Sequence, residues 1–108
     1  LLQAYPKDLM LVGIDPSGPK FKQHYPAHVR LIPDFFSAGL VQGFYPGKRA
    51  KVITSIAMFY DLEHPQDFVD EIARVLDEDG LWIFEQSYLP FMLDTNSYDT
   101  VCHEHLEY

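Results

Sequence analysis

Three consecutive stretches constrain the fold of this chain more than anything else in it. "AKVITSIAMF" (50–59) is rich in β-branched residues, "HPQDFVDEIARVLDEDG" (64–80) is amphipathic, and "LWIFEQSY" (81–88) is apolar again. The first reads as a central strand running into a turn. In the second, Phe68, Ile72, Val75 and Leu76 recur at helical spacing. Pro65 suits a first helical position, with Gln66 and Asp67 in the first turn, and Gly80 is expected to close the helix as its C′ residue. The third reads as another strand. Strand, helix, strand is the grammar of a parallel α/β sheet, whose ligand loops lie at the strand C-termini.

The first half extends the pattern. "DLMLVGIDPS" (8–17) is a buried-strand run, Leu9 to Val12, that Pro16 ends. "HVRLIPDFF" (28–36) gives a second short strand through Val29, Leu31 and Ile32, interrupted by Pro33. Residues 37–50, with Gly39, Gly43, Pro46 and Gly47, read as the loosest part. The tail, 89–108, reads as polar-aromatic and irregular, with room for a short helix around Pro90–Leu93. His24, His28 and His64 read as loop and helix-end residues. There is no internal repeat or low-complexity tract.

A length of 108 residues with 47% apolar and 15% aromatic content fits one small globular domain or part of a larger one. The absence of an initiator Met and the apolar start, Leu1-Leu2, suggest an excerpt of a longer chain. No apolar run reaches membrane-spanning length. A net charge of −8 disfavours nucleic acid or an anionic membrane as the main partner, since phosphates attract a positive face. With Cys102 as the single cysteine no internal disulfide can form, and a reducing cytoplasm fits.

The strand ends carry groups suited to adenosine. Asp15 closes the first strand, where an acidic residue can accept hydrogen bonds from both ribose hydroxyls. An Asp before Pro-Ser is also a common turn former. Asp34-Phe35-Phe36 follows the second strand and offers a carboxylate near an exocyclic amine and a flat apolar face, although two Phe residues also suit a core. Thr54-Ser55-Ile56-Ala57 ends the third strand, and Met58-Phe59-Tyr60 comes next. Aromatic rings there suit a cationic sulfonium, an attraction of about 0.5–2 kcal/mol.

"GIDPS", "DFF", "VITSIAMFYDLEHPQDFVDEIARVLDEDGLWIFEQSY" and "YDTVCHEHLEY" together resemble the class I S-adenosylmethionine-dependent methyltransferases. The similarity is greatest to the subfamily that C-methylates nucleotide-linked deoxysugars, which carries a Tyr-His-Glu-His run after its fifth strand. The resemblance implies a partial Rossmann-like methyltransferase sheet, strands two to five. The first strand with its Gly-rich loop would lie before Leu1 and the last strands beyond Tyr108. Residues 1–108 would then be the central part of one methyltransferase domain, truncated at both ends, and the missing strand would belong between this piece's own strand pairs. It also implies S-adenosyl-L-methionine as cofactor, with Asp15 on the ribose, Asp34 and Phe35 on the adenine, and Ser55 near the methionine portion.

"CHEHLEY" (102–108) is the densest cluster of ionisable groups. In an extended segment His103 and His105 would share a face, a plausible metal pair, but no other histidine is spaced to complete a set. Proton transfer is the better match. Carbon–carbon bond formation with a methyl donor needs a carbanion or enolate, hence a base and a stabilised oxyanion. Histidine titrates near about 6.5 and suits the role at neutral pH. His103, Glu104, His105 and Tyr88 form a suitable kit, and the resemblance puts the base on His105. Cys102 stands where the subfamily usually has Tyr, which removes a phenol donor.

The expected function is methyl transfer to a small molecule, a nucleotide-linked keto-sugar by the resemblance, with no resident metal. O- or N-methylation of another small molecule and a non-catalytic binding or scaffold domain are the alternatives. An NAD-dependent oxidoreductase would share the strand-end Asp but gives no reason for His-Glu-His. Composition and spacing leave the oligomeric state open.

Overall fold

The computed structural model describes residues 1–98 and shows a mixed α/β protein with two small parallel sheets. The chain divides into two compact units, Leu1–Phe36 and Ser37–Tyr108.

In the first unit, β1 (Leu11–Ile14) pairs in parallel with β2 (Val29–Ile32), from Leu11 opposite Val29 to Ile14 opposite Ile32. Leu11, Val29 and Ile32 are its buried core. The crossover contains a 3₁₀ helix, Gly18–His24, which ends at His24, a residue read from the sequence as loop. Gly18 packs closely under Leu31, and a Cβ there would sit 2.6 Å from Leu31 Cδ1, so the leucine side chain would have to shift. β1 starts later than the apolar run suggested, and Leu9 and Met10 are left exposed before it.

In the second unit, β3 (Ala50–Ile56) pairs in parallel with β4 (Leu76–Glu85), across the helix α2 (Pro65–Val75). α2 begins as expected, with Pro65 in its first turn, and it buries Ile72 and Val75. Its end differs from the sequence reading. Helical geometry stops at Val75, and Leu76 is already extended (φ −72°, ψ 139°) because it pairs with Ala50. Gly80 is therefore not the C′ residue. The strand-pairing register shifts between Ala50 and Val52, and Gly80 fills the tight spot that results. A Cβ there would meet Ala50 O at 2.9 Å and Leu76 Cδ1 at 2.7 Å. The same bend is braced by Asp77, whose Oδ1 accepts from Lys51 Nζ (2.8 Å) and the Asp79 N–H (3.3 Å). The Lys51 hydrogen bond, followed by that of Asp79, holds the Asp77 carboxyl below its usual range.

Side chains alternate across β3 and β4. Ile53, Ser55, Trp82 and Phe84 share the face on which Phe68 of α2 lies, with ring centroids of Phe68 and Trp82 6.1 Å apart. Val52, Ile56, Leu81 and Ile83 stand on the other face and stay 43–63% exposed. Parallel sheets normally have both faces covered, and only one is covered here among the described residues.

Residues 37–50, read from their glycines as loose, contain a short helix, α1 (Ala38–Phe44). Ser37 caps it, its hydroxyl accepting from the Leu40 N–H (3.1 Å). Glu71 of α2 accepts the Ala38 N–H at 2.5 Å through one carboxylate oxygen and Arg74 Nη1 at 2.5 Å through the other, which ties α1 to α2. Tertiary contacts thus supply what two glycines take from the intrinsic stability of α1. A third helix, α3 (Leu89–Thr95), follows β4 and buries Met92. The short helix expected around Pro90–Leu93 is present and somewhat longer, and Asn96 closes it in a left-handed conformation (φ 50°).

Candidate functional site

β1 and β2 are neighbours in register to their last residues, so the groups that follow them emerge at one edge. The Asp15 N–H donates to Ile32 O (3.1 Å) and the Asp34 N–H to the same carbonyl (3.0 Å), which anchors both backbones there. Asp15 is half-buried, and its Oδ1 accepts from the Ser17 N–H (2.8 Å) and hydroxyl (2.7 Å). One oxygen therefore forms the turn that Pro-Ser suggested, and Oδ2 has no protein partner among the described residues. Asp34 is exposed, and its Oδ1 accepts the Phe35 N–H (2.8 Å). Phe35 is 76% exposed and is not a core residue; Phe36 is half-buried. Two carboxylates and a bare aromatic face thus share one strand edge within the first unit. The carboxylates can accept from hydroxyls or an amine, and the ring offers a flat apolar face for stacking.

In the second unit Ser55 is 6% exposed, and its hydroxyl accepts from Trp82 Nε1 (3.0 Å). Phe59 joins Phe68, Trp82 and Phe84 in an aromatic cluster, at 6.2, 5.8 and 5.8 Å between centroids. Ser55 and Phe59 thus have packing roles under α2. At the same strand end the backbone is unusual. Ala57 adopts φ 50° while its N–H donates to Glu85 O (3.0 Å). A left-handed conformation costs a residue with a Cβ about 1–2 kcal/mol, and such strain collects at functional sites. Ala57→Gly is therefore expected to stabilise the unit by about 1 kcal/mol, read as a raised urea midpoint with unchanged slope.

Gln86 follows β4, and its Oε1 is buried with no hydrogen-bond partner among the described residues; the same holds for His28 Nε2 in the first unit. A buried acceptor left without a donor costs about 1–3 kcal/mol. The apolar–polar break at Glu85-Gln86 was the one signal in the sequence that pointed to it. Tyr88 is exposed at the start of α3.

His103, Glu104, His105 and Cys102 lie outside the described residues. Among the described residues no three His, Cys, Asp or Glu side chains gather so as to hold a metal ion, and no helix is long and apolar enough to cross a membrane. No family model matches the chain, and no curated protein matches it.

Proposed function

We propose that this chain is part of an S-adenosylmethionine-dependent methyltransferase domain acting on a small molecule, a nucleotide-linked keto-sugar in the reading we favour. The observation that carries the proposal is the shared edge of β1 and β2. Asp15, with one carboxylate oxygen uncommitted, and Asp34 stand there beside the exposed ring of Phe35. Asp15 Oδ2 accepts from the ribose hydroxyls, Asp34 from the adenine amine, and Phe35 covers the purine face. The bound cofactor supplies an electrophilic methyl group. His105 takes a proton from the substrate carbon, Glu104 fixes the histidine tautomer or holds a sugar hydroxyl, and His103 and Tyr88 contact the substrate. Ser55 contributes by fixing Trp82 behind the end of β3.

A cofactor-free binding or scaffold domain is the second reading. It is favoured by the internal engagement of Asp15 Oδ1 and Ser55 Oγ.

Calorimetric titration of S-adenosylmethionine into the full-length protein separates the two. Asp15→Ala is expected to weaken binding by about 1.5–3 kcal/mol, the range for charge-assisted hydrogen bonds. Asp15→Asn keeps an acceptor for Ser17 and so tests the charge without breaking the turn. Unchanged affinity in both variants would remove Asp15 from the site, and no binding by the unsubstituted protein would leave the scaffold reading.

A further inference from the structure

The second unit carries an open surface cavity of about 460 Å³ bordered by Gly39 and Gln42 of α1, the turn Gly47-Lys48-Arg49, and Arg74 at the end of α2, most of them exposed. The chain has 16 acidic residues and 8 Lys and Arg, yet three of those eight line this one cavity and no carboxylate does. Such segregation in a chain of net charge −8 makes the cavity an electropositive exception on an acidic protein. It lies apart from the proposed cofactor residue of its own unit, because Ser55 is six positions beyond Arg49 along β3, roughly 20 Å at strand rise.

The two arginines are each anchored by one hydrogen bond. Arg49 Nη1 donates to Leu76 O (2.9 Å), and Arg74 Nη1 donates to Glu71 Oε1, so Glu71 offsets part of one charge. Each guanidinium has five N–H donors and keeps most of them for a ligand. Lys48 Nζ has no hydrogen-bond or ion-pair partner among the described residues. The turn that carries Lys48 is stapled to α1 at both ends: the Gly47 N–H donates to Gln42 Oε1 (3.2 Å), and Gln42 Nε2 donates to Lys48 O (3.2 Å).

The glycines supply a second, independent observation. Gly47 is explained by its φ of +72°, but Gly39 is helical and a Cβ there would meet nothing within 4 Å. Gly39 stands in the first turn of α1, and nothing in the described packing requires a glycine there. Its absent side chain leaves the cavity wall as bare backbone, as a ligand that approaches closely requires.

We propose that this cavity binds a phosphorylated small molecule, its phosphoryl oxygens held by Arg49, Arg74 and Lys48. Arginine forks match phosphoryl geometry with paired N–H donors, and the lysine adds a mobile point charge. The volume exceeds what one phosphoryl group fills and lies within the range of small-molecule sites, so it has room for the organic part or a second phosphoryl. This site stands or falls independently of the methyl-transfer reading.

The test is a titration of the ¹⁵N-labelled full-length protein with inorganic pyrophosphate, followed by amide shifts. Saturable shifts of Gly39, Gly47, Lys48 and Arg49 are expected at submillimolar to millimolar ligand. Lys48→Glu is expected to weaken binding by about tenfold or more, the loss of a charge-assisted bond. Gly39→Leu projects into open space, so it is expected to keep the circular dichroism of the parent while blocking the cavity. No saturable shift, or equal affinity in the parent and both folded variants, would overturn the site.

Discussion

Trp82→Ala is expected to destabilise the second unit by about 3 kcal/mol, the largest stability loss for a single side chain outside the buried aliphatic core. The indole stands 5.8 Å from Phe59, 6.1 Å from Phe68 and 4.9 Å from Phe84, so its removal opens the centre of the cluster that joins α2 to the sheet. A full Trp→Ala truncation in a core costs about 3–5 kcal/mol, and Trp82 is half-buried, which places it at the lower end. Part of the loss is polar. Ser55 is buried and would lose the Nε1–H that donates to its hydroxyl, at about 1 kcal/mol. Trp82→Phe separates the two contributions, since it keeps a ring and loses the donor, and its expected cost is about 1–2 kcal/mol. Urea unfolding followed by far-ultraviolet circular dichroism measures both. Equal stability of Trp82→Ala and the parent would show that the cluster does not hold α2 to β4.

If the proposed methyl transfer holds, His105→Ala in the full-length protein is expected to lower turnover by about 10²–10⁴-fold while S-adenosylmethionine affinity stays nearly unchanged. The proposed base acts only when neutral. The rate of the parent should therefore rise with pH as the base loses its proton and level off above that point. That limb should vanish in the residual activity of His105→Ala. A comparable loss of S-adenosylmethionine binding would assign His105 a structural role. Retained turnover would move the base elsewhere, with His103 the next residue to replace.

What was legible in the sequence is what local pattern encodes. The alternation of strands with a crossover, the Pro65 start of α2 and its Phe68, Ile72 and Val75 stripe all follow from periodicity and capping, which act over a few residues. The strand-end carboxylates were legible for the same reason, because a residue that follows a strand in sequence also follows it in space. Asp15 shows the limit. Its sequence context allowed a turn former or a ligand contact, and the structure uses one oxygen for the turn and leaves the other open.

The errors came where pairing over distance overrode local signals. Gly80 looked like a helix terminator, yet Leu76 leaves the helix first to pair with Ala50, and Gly80 serves a close approach to that strand. Gly39 and Gly43 made 37–50 look unstructured, yet a carboxylate 33 residues away, Glu71, pins α1 in place. The contact of Ser55 with Trp82 was likewise not legible, because it depends on the register of β3 against β4. The sequence by itself therefore determined the order of the four strands and α2 and which carboxylates stand at the strand ends, because those depend on neighbouring residues. Only the tertiary structure decided where α2 stops, why α1 forms, and that Lys48, Arg49 and Arg74 meet around one cavity, because each depends on residues brought together from distant parts of the chain.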